Sequence, residues 1–144
     1  MSSSSGVFSI FEHDKNFREV MHRLLKSSIE MSFSGVMITA AAPGYPIVYV
    51  NPAFCQMTGY AAEELLGQSP AVLQGPGTDL QVLAQLKQDL AAGRQFHGSA
   101  INYRKDGSEF MMEWKIAPIR NAQGQVSHYL AVQKDISHEQ APAD

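Results

Sequence analysis

The chain has 144 residues, 44% of them hydrophobic and 17% charged, which is the composition of one globular domain that can bury a sizeable core. A formal net charge of -3 gives no electrostatic reason to expect nucleic acid or an anionic membrane as a partner. The apolar runs are far shorter than the roughly 20 residues of a membrane span, and the polar start does not resemble a secretion signal. We therefore expect a cytoplasmic protein, and the single cysteine, which permits no internal disulfide, agrees with a reducing compartment.

The beginning of the chain predicts a tail followed by an amphipathic helix. Residues 1–13 are expected to form a flexible tail, because the serine-rich start offers little apolar surface for packing. Residues 14–31 are expected to form a cap helix that begins at Asp14. Its apolar residues recur at three- and four-residue spacing, and they are Phe17, Val20, Met21, Leu24, Leu25 and Ile29.

The remainder predicts an α+β fold with one five-stranded antiparallel sheet and a belt of helices. Two short β-branched strands are expected at 35–39 and 47–50, followed by a helical turn that begins at Asn51-Pro52. Leucines at helical spacing predict a helix from Asp79 to Ala92, which Gly93 ends. Three strands then follow, at 98–104, 110–119 and 126–136, joined by turns at 105–107 and 121–124.

Alternation along these last strands sorts their side chains into two faces of the sheet. The residues that share a face on each strand are Ala100, Asn102 and Arg104, then Met112, Trp114 and Ile116, then Tyr129, Ala131 and Gln133.

The segment 67–79 reads Gly-Gln-Ser-Pro-Ala-Val-Leu-Gln-Gly-Pro-Gly-Thr-Asp. It resembles the signature of the LOV branch of PAS sensor domains, Gly-x-Asn-Cys-Arg-Phe-Leu-Gln-Gly-Pro-x-Thr-Asp. The second half of the signature matches, whereas Pro70 stands at the position of the reactive cysteine. The resemblance therefore implies a domain that forms no cysteinyl-flavin adduct at this position. The neighbouring Asn, Arg and Phe positions hold Ser69, Ala71 and Val72.

Other segments resemble the same family in chain order, at 49–54, 57–60, 63–67, 102–110, 116–119 and 133–137. Together they cover about residues 33 to 138, and several ordered motifs are more specific than any one alone. The resemblance implies a PAS fold over residues 32–138, followed by a C-terminal tail at 139–144.

The resemblance also implies a flavin site on the inward face of the sheet. Asn102 matches the position of an amide at the pyrimidine edge of the flavin, and Gln133 that of an amide near N5 and O4. Amides suit this edge because they both donate and accept hydrogen bonds. Met112 replaces a second amide, and Trp114 replaces a Phe beside the ring. The remaining positions that the resemblance places around the ring are Thr39, Gln74, Tyr129 and Ala131, with Leu83, Leu86 and Leu90 covering it.

Two features leave the identity of the flavin open between FMN and FAD. The arginines that hold the FMN phosphate in LOV domains match Ala71 and Lys87, so one cation remains for that group. Redox PAS domains that bind FAD, similar to those of nitrogen-fixation and methane-oxidation regulators, also lack the cysteine and keep an Asn before Arg-Lys-Asp. The chain combines features of the two branches.

Each of these residues also has a simpler interpretation. Asn102 and Gln133 are alternatively core amides that hydrogen-bond within the chain, and Met112 and Trp114 are alternatively core filling. Cys55 is expected to be a small buried hydrophobe. The five histidines are scattered without ligand spacing, so no metal site is expected. The segment 104–106 is expected to be a solvated hairpin turn.

These observations predict a sensory or signalling domain that binds FAD or FMN non-covalently and reports redox state or blue light. The alternative is a cofactor-free PAS module for dimerisation or relay of a small ligand. An enzyme is not expected, because no nucleophile and base, phosphate loop or metal cluster is visible. A homodimer is expected through the cap helix and the outer sheet face that carries Leu130 and Val132. The downstream effector is unknown, and neither nucleic acid nor membrane is expected as a partner.

Overall fold

The computed structural model describes residues 15–139. These residues belong to two compact units that divide between Met31 and Ser32. The first contains helix α1, Lys15–Met31, where the amphipathic pattern predicted a helix. The expected tail at 1–13, the expected cap residue Asp14 and all but the first residue of the expected tail at 139–144 lie outside the described residues.

The second unit contains a five-stranded antiparallel sheet, so the predicted α+β fold is confirmed. In space the strands follow the order β2-β1-β5-β4-β3, so the first strand pairs with the last. This pairing closes the fold, because it joins segments about ninety residues apart in the chain. The strands are β1 Gly35–Ala40, β2 Ile47–Val50, β3 Phe96–Tyr103, β4 Glu109–Arg120 and β5 Val126–Asp135.

Helices α2 (Pro52–Thr58), α3 (Ala62–Leu65) and α4 (Leu80–Ala91) connect β2 to β3. Asn51 begins α2 as predicted, and its side-chain oxygen accepts hydrogen bonds from the backbone nitrogens of Phe54 (3.0 Å) and Val36 (2.8 Å). One fully buried amide therefore caps the helix and also ties it to β1. Single 3₁₀ turns follow at Pro70–Leu73 and Ser137–Glu139.

The predicted turns between the last three strands are confirmed. Gly107 and Gly124 have φ angles of 90° and 80°, the left-handed region that glycine adopts without steric cost. The backbone nitrogen of Gly107 bonds the carbonyl of Arg104 at 2.9 Å, and that of Gly124 bonds the carbonyl of Asn121 at 2.9 Å. The hairpins fix the register that decides which side chains face inward.

The hydrophobic core lies between the helices and one face of the sheet, here called the inner face. Phe54 of α2 and Leu65 of α3 are completely buried against it. Val82, Leu86 and Leu90 of α4 pack on the same core. Within residues 15–139, no helix is long and apolar enough to cross a membrane.

Candidate cofactor-binding site

The inner face of the sheet gathers the strand residues that sequence reasoning singled out. Strand register arranges them in rows that run across the sheet. The central row is Gly35, Gln133, Trp114 and Gly98, on β1, β5, β4 and β3. Next to it on one side lie Met37, Ala131, Ile116 and Phe96, followed by Thr39, Tyr129 and Pro118. On the other side lie Asp135, Met112 and Ala100, followed by Phe110 and Asn102.

The predicted strand residues are therefore neighbours on one surface, and most are removed from solvent. Tyr129 is partly buried and packs against the core. The fully buried members are Thr39, Asn102, Met112, Trp114, Ala131 and Gln133.

Gln133 is the most unusual residue of the inner face. Its side chain is 1% exposed, and within residues 15–139 neither its amide nitrogen nor its amide oxygen has a hydrogen-bond partner. A buried amide in this state costs a few kcal/mol, about 1–3 for each unpaired group. Buried polar groups in folded proteins are normally paired. The simpler interpretation of Gln133 as a hydrogen-bonded core amide therefore does not fit, whereas a polar ligand edge does.

Asn102 is the second buried amide, and the chain satisfies it only weakly. Its Nδ2 donates to the carbonyl of Ala100, two residues earlier on the same strand, at 3.4 Å. That length is beyond the usual range for such a bond. In the rows of the sheet Met112 lies between Asn102 and Gln133. Two amides with unused hydrogen-bonding capacity thus flank the apolar side chain of Met112.

Aromatic rings cover the part of the inner face nearest β3. The rings of Phe96 and Trp114 lie 5.4 Å apart at 52°. Phe96 also covers Gly98, because a Cβ atom at position 98 would stand 2.5 Å from its ring. Ala100 and Ala131 place short side chains in the row on either side. A planar ligand would therefore meet an indole on one side and short side chains beside it.

The residues of helix α4 and of the preceding loop that were expected around the ring differ in burial. Leu83 and Leu86 are both partly buried, and Leu86 packs against the core. Val82, which the sequence did not single out, also packs against it. Gln74 is exposed. Lys87, the remaining phosphate-site cation, is exposed on α4.

The loop that carries Gln74 is attached to β3. The hydroxyl of Thr78 donates to the carbonyl of Ile101 at 2.7 Å and accepts from the backbone nitrogen of Gly75 at 3.1 Å. The hydroxyl of Tyr103 accepts from the backbone nitrogen of Gly77 at 2.7 Å. This anchoring holds the loop at the edge of the inner face.

The position of Arg104 differs from the expected solvated turn at 104–106. The prediction of a solvated turn holds for Lys105 and Asp106, which are exposed, but Arg104 is partly buried. Its guanidinium pairs with Asp135 at 2.5 Å and donates to the carbonyl of Met57 at 3.2 Å. Although burial alone would raise the pKa of Asp135, hydrogen bonds from Ser137 and the charge of Arg104 lower it. The net pKa is below the usual range for a carboxyl. The pair was not visible in the sequence, because Arg104 follows β3 whereas Asp135 ends β5, 31 residues later.

Cys55 lies on α2, where it is half-buried and packs against the core. Burial, followed by the negative charge of Glu63, raises the pKa of its thiol, so the protonated form is favoured. Within residues 15–139, no three His, Cys, Asp or Glu side chains come together in a way that could hold a metal ion.

Comparison with known proteins identifies the family. A model of the PAS domain family matches residues 34–138. A nitrogen fixation regulatory protein of Klebsiella oxytoca is 36% identical over 114 residues, covering 79% of this chain and 23% of that protein. A blue-light-activated histidine kinase of Brucella ovis is 36% identical over 115 residues, covering 79% of this chain and 24% of that protein. The chain thus spans about a quarter of the length of these curated relatives.

Solved structures give the same result. A light-oxygen-voltage domain described with a flavin analogue superposes with a TM-score of 0.75 at 36% identity, covering 81% of this chain and 87% of that one. An RNA-binding light-oxygen-voltage receptor superposes with a TM-score of 0.80 at 31% identity, covering 85% of this chain and 35% of that one. The chain belongs to the PAS domain family, and it is LOV-like in sequence and structure.

Proposed function

We propose that this sensory PAS domain holds a flavin non-covalently on its inner sheet face and reports redox state or blue light without a cysteinyl adduct. The observation that carries the proposal is the buried, unpaired amide of Gln133. The pyrimidine edge of a flavin alternates donors and acceptors, so it offers partners to this amide and to Asn102. A relative described as blue-light-activated and a light-oxygen-voltage domain described with a flavin analogue support the same choice of ligand.

The residues have distinct parts in the proposed site. Asn102 and Gln133 hold and orient the polar edge, while Leu86 and Val82 exclude water from the opposite side. A bound flavin supplies one- and two-electron redox chemistry and absorption of blue light. Gln133 responds to the charge and protonation of the edge that it contacts, because its amide can rotate to offer either its oxygen or its nitrogen. Reorientation of that amide strains or relaxes β5.

The chemical identity of the flavin is proposed as FAD or FMN. Lys87 on α4 offers one positive charge for a terminal phosphate, and Ala71 offers none. The signal is proposed to pass to a separate effector, since relatives of this chain are parts of longer regulatory proteins. The proposed role is sensing rather than catalysis, and we place it in the cytoplasm.

Substitution of the two amides tests the proposed site. Asn102→Leu is expected to raise the dissociation constant for added FMN or FAD about tenfold, because a polar edge loses its partner. Gln133→Leu is expected to shift the visible absorption band, because a hydrogen bond to O4 tunes the ring. Gln125→Leu, in an exposed turn, is the matched control and should change neither quantity. Unchanged affinity and spectra in both inner-face variants would reject these residues as flavin contacts and favour a cofactor-free relay module.

A further inference from the structure

Tyr45, in the loop between β1 and β2, adopts a backbone conformation that is unfavourable for its residue type. It is the non-glycine residue with a positive φ among residues 15–139, at 48°. Such a conformation is uncommon for a residue with a bulky side chain, and it persists only where surrounding contacts fix it. The backbone nitrogen of Tyr45 bonds the carbonyl of Ala42 at 2.8 Å, so a tight turn holds it.

This conformation brings the Tyr45 ring against the ring of Tyr129. The two centroids lie 5.9 Å apart at 65°, an edge-to-face contact. Tyr129 stands on the inner face, paired with Thr39 and Pro118, and packs against the core. Tyr45 is 53% exposed. The pair therefore joins the interior of the proposed site to solvent through two touching aromatic rings.

Tyr129 is a neutral phenol rather than a charged group. Burial, and then the neighbouring Tyr45, raise the pKa of Tyr129, so its hydroxyl keeps its proton at neutral pH. The electron-rich ring of a phenol gives up an electron more readily than the ring of phenylalanine does.

We propose that Tyr129 and Tyr45 form an electron path between the inner face and the protein surface, a role that rests on the proposed flavin site. In the net step one electron leaves Tyr45, passes through Tyr129 and reduces the photo-excited flavin. Tyr45 releases its hydroxyl proton to water, since its ring is exposed. Tyr129 regains from Tyr45 the electron that it donates and ends unchanged. A small external reductant, such as ascorbate or a thiol, returns an electron and a proton to Tyr45.

Photoreduction of the FAD-loaded chain tests the path. The initial rate of flavin bleaching under blue light, without oxygen and with ascorbate, is compared among variants. Tyr45→Phe and Tyr129→Phe should each slow it several-fold, although each keeps an aromatic ring in place. Tyr60→Phe, which changes another partly buried tyrosine on the core, should match the parent chain. The comparison is repeated with Trp114→Phe added to every variant, so that the indole cannot mask the effect.

A wild-type rate in Tyr45→Phe would overturn the proposal, as would an equal slowing in Tyr60→Phe. A second measurement needs no bound flavin. The flavin-free chain is oxidised with a photo-excited ruthenium complex and persulfate, and dityrosine fluorescence within the monomer is measured. It should appear in the parent chain and in Tyr60→Phe, and disappear in Tyr45→Phe and Tyr129→Phe. Its absence from the parent chain would reject the path, whereas failure to take up any flavin would reject the proposed function.

Discussion

At the scale of single residues, three neighbouring side chains form the proposed contact with the polar edge of the flavin. Met112 separates the buried amides of Asn102 and Gln133, so the proposed polar edge meets amides at its ends and a thioether between them. A thioether is a weak hydrogen-bond acceptor and cannot replace an amide donor. The proposed site therefore depends more strongly on its two amides than a site with three amides would.

Trp114 carries a prediction at this scale. Its indole is 6% exposed, lies in the row of Gln133 and contacts Phe96. An indole beside an excited flavin donates an electron and quenches emission, so the flavin-loaded chain should be weakly fluorescent. Trp114→Phe should brighten its emission several-fold and slow radical formation, as measured by fluorescence lifetime and transient absorption. Equal lifetimes in the two proteins would show that the indole only fills the core.

How far the sequence predicts the site differs from residue to residue. Alternation along β3, β4 and β5 predicted correctly which side chains share the inner face, because the period of a strand is fixed by backbone geometry. The unpaired state of Gln133 was not predictable, since it depends on every group around the amide. The contacts of Phe96 with Gly98 and of Tyr45 with Tyr129 likewise depend on side-chain conformations that no local pattern specifies.

At the scale of elements, Arg104 connects three parts of the fold. Its guanidinium bonds Asp135 at the end of β5, the carbonyl of Met57 in α2, and Ser108 of the β3–β4 turn at 3.1 Å. It also lies 4.7 Å above the ring of Phe110. Asp135 is two residues beyond Gln133, so these contacts fix the strand segment that carries the proposed responsive amide.

Breaking this connection should weaken the fold more than breaking a neighbouring surface pair. Arg104→Gln leaves the partly buried carboxylate of Asp135 without its cation, and we expect a loss of about 2 kcal/mol in the free energy of unfolding. Lys105→Gln is the matched control. It removes the pair with Glu64 at 2.6 Å, which is solvent-exposed, and its effect should be much smaller. Urea denaturation at neutral pH measures both, and equal losses would contradict the assigned role of Arg104.

The same comparison has a defined pH dependence. The pKa of Asp135 is lowered in the folded chain, so its ion pair stabilises the fold fully above the ordinary carboxyl pKa. The contribution is lost as pH falls through the lowered value. The difference between the parent chain and Arg104→Gln should therefore be constant around neutral pH and shrink in acid.

The sequence predicted the ends of helices better than it predicted which strands lie side by side in the sheet. Asn51, Asp79 and Gly93 marked helix ends because capping chemistry is local. The strand order β2-β1-β5-β4-β3 did not follow, since pairing of β1 with β5 is set by long-range packing. The contacts of Arg104 are also long-range, so the sequence predicted a solvated position for it instead.

At the scale of the whole molecule, the outer face of the sheet is apolar at several exposed positions. Val48, Ile119 and Val132 are 47%, 42% and 41% exposed. Exposed apolar side chains on a sheet are candidates for an interaction site. We propose that two copies of the chain form a homodimer, with this outer face and helix α1 as the two pairing surfaces.

Sedimentation of the intact chain and of a chain that begins at Ser32 tests this proposal. The intact chain should be a dimer, and the truncated one should be monomeric, because it lacks one of the two proposed pairing surfaces. Monomers in both cases would reject the dimer, and dimers in both cases would reject the part of α1 in pairing.

The absorption spectrum of the purified intact chain, before and after blue light, tests the central claim most directly. We predict the structured blue band of an oxidised flavin, full release of the pigment on denaturation, and no near-ultraviolet thiol-adduct band after illumination, since Pro70 offers no nucleophile. A colourless chain that takes up neither FMN nor FAD when these are added would contradict the account. So would a light-induced adduct band that disappears in Cys55→Ala.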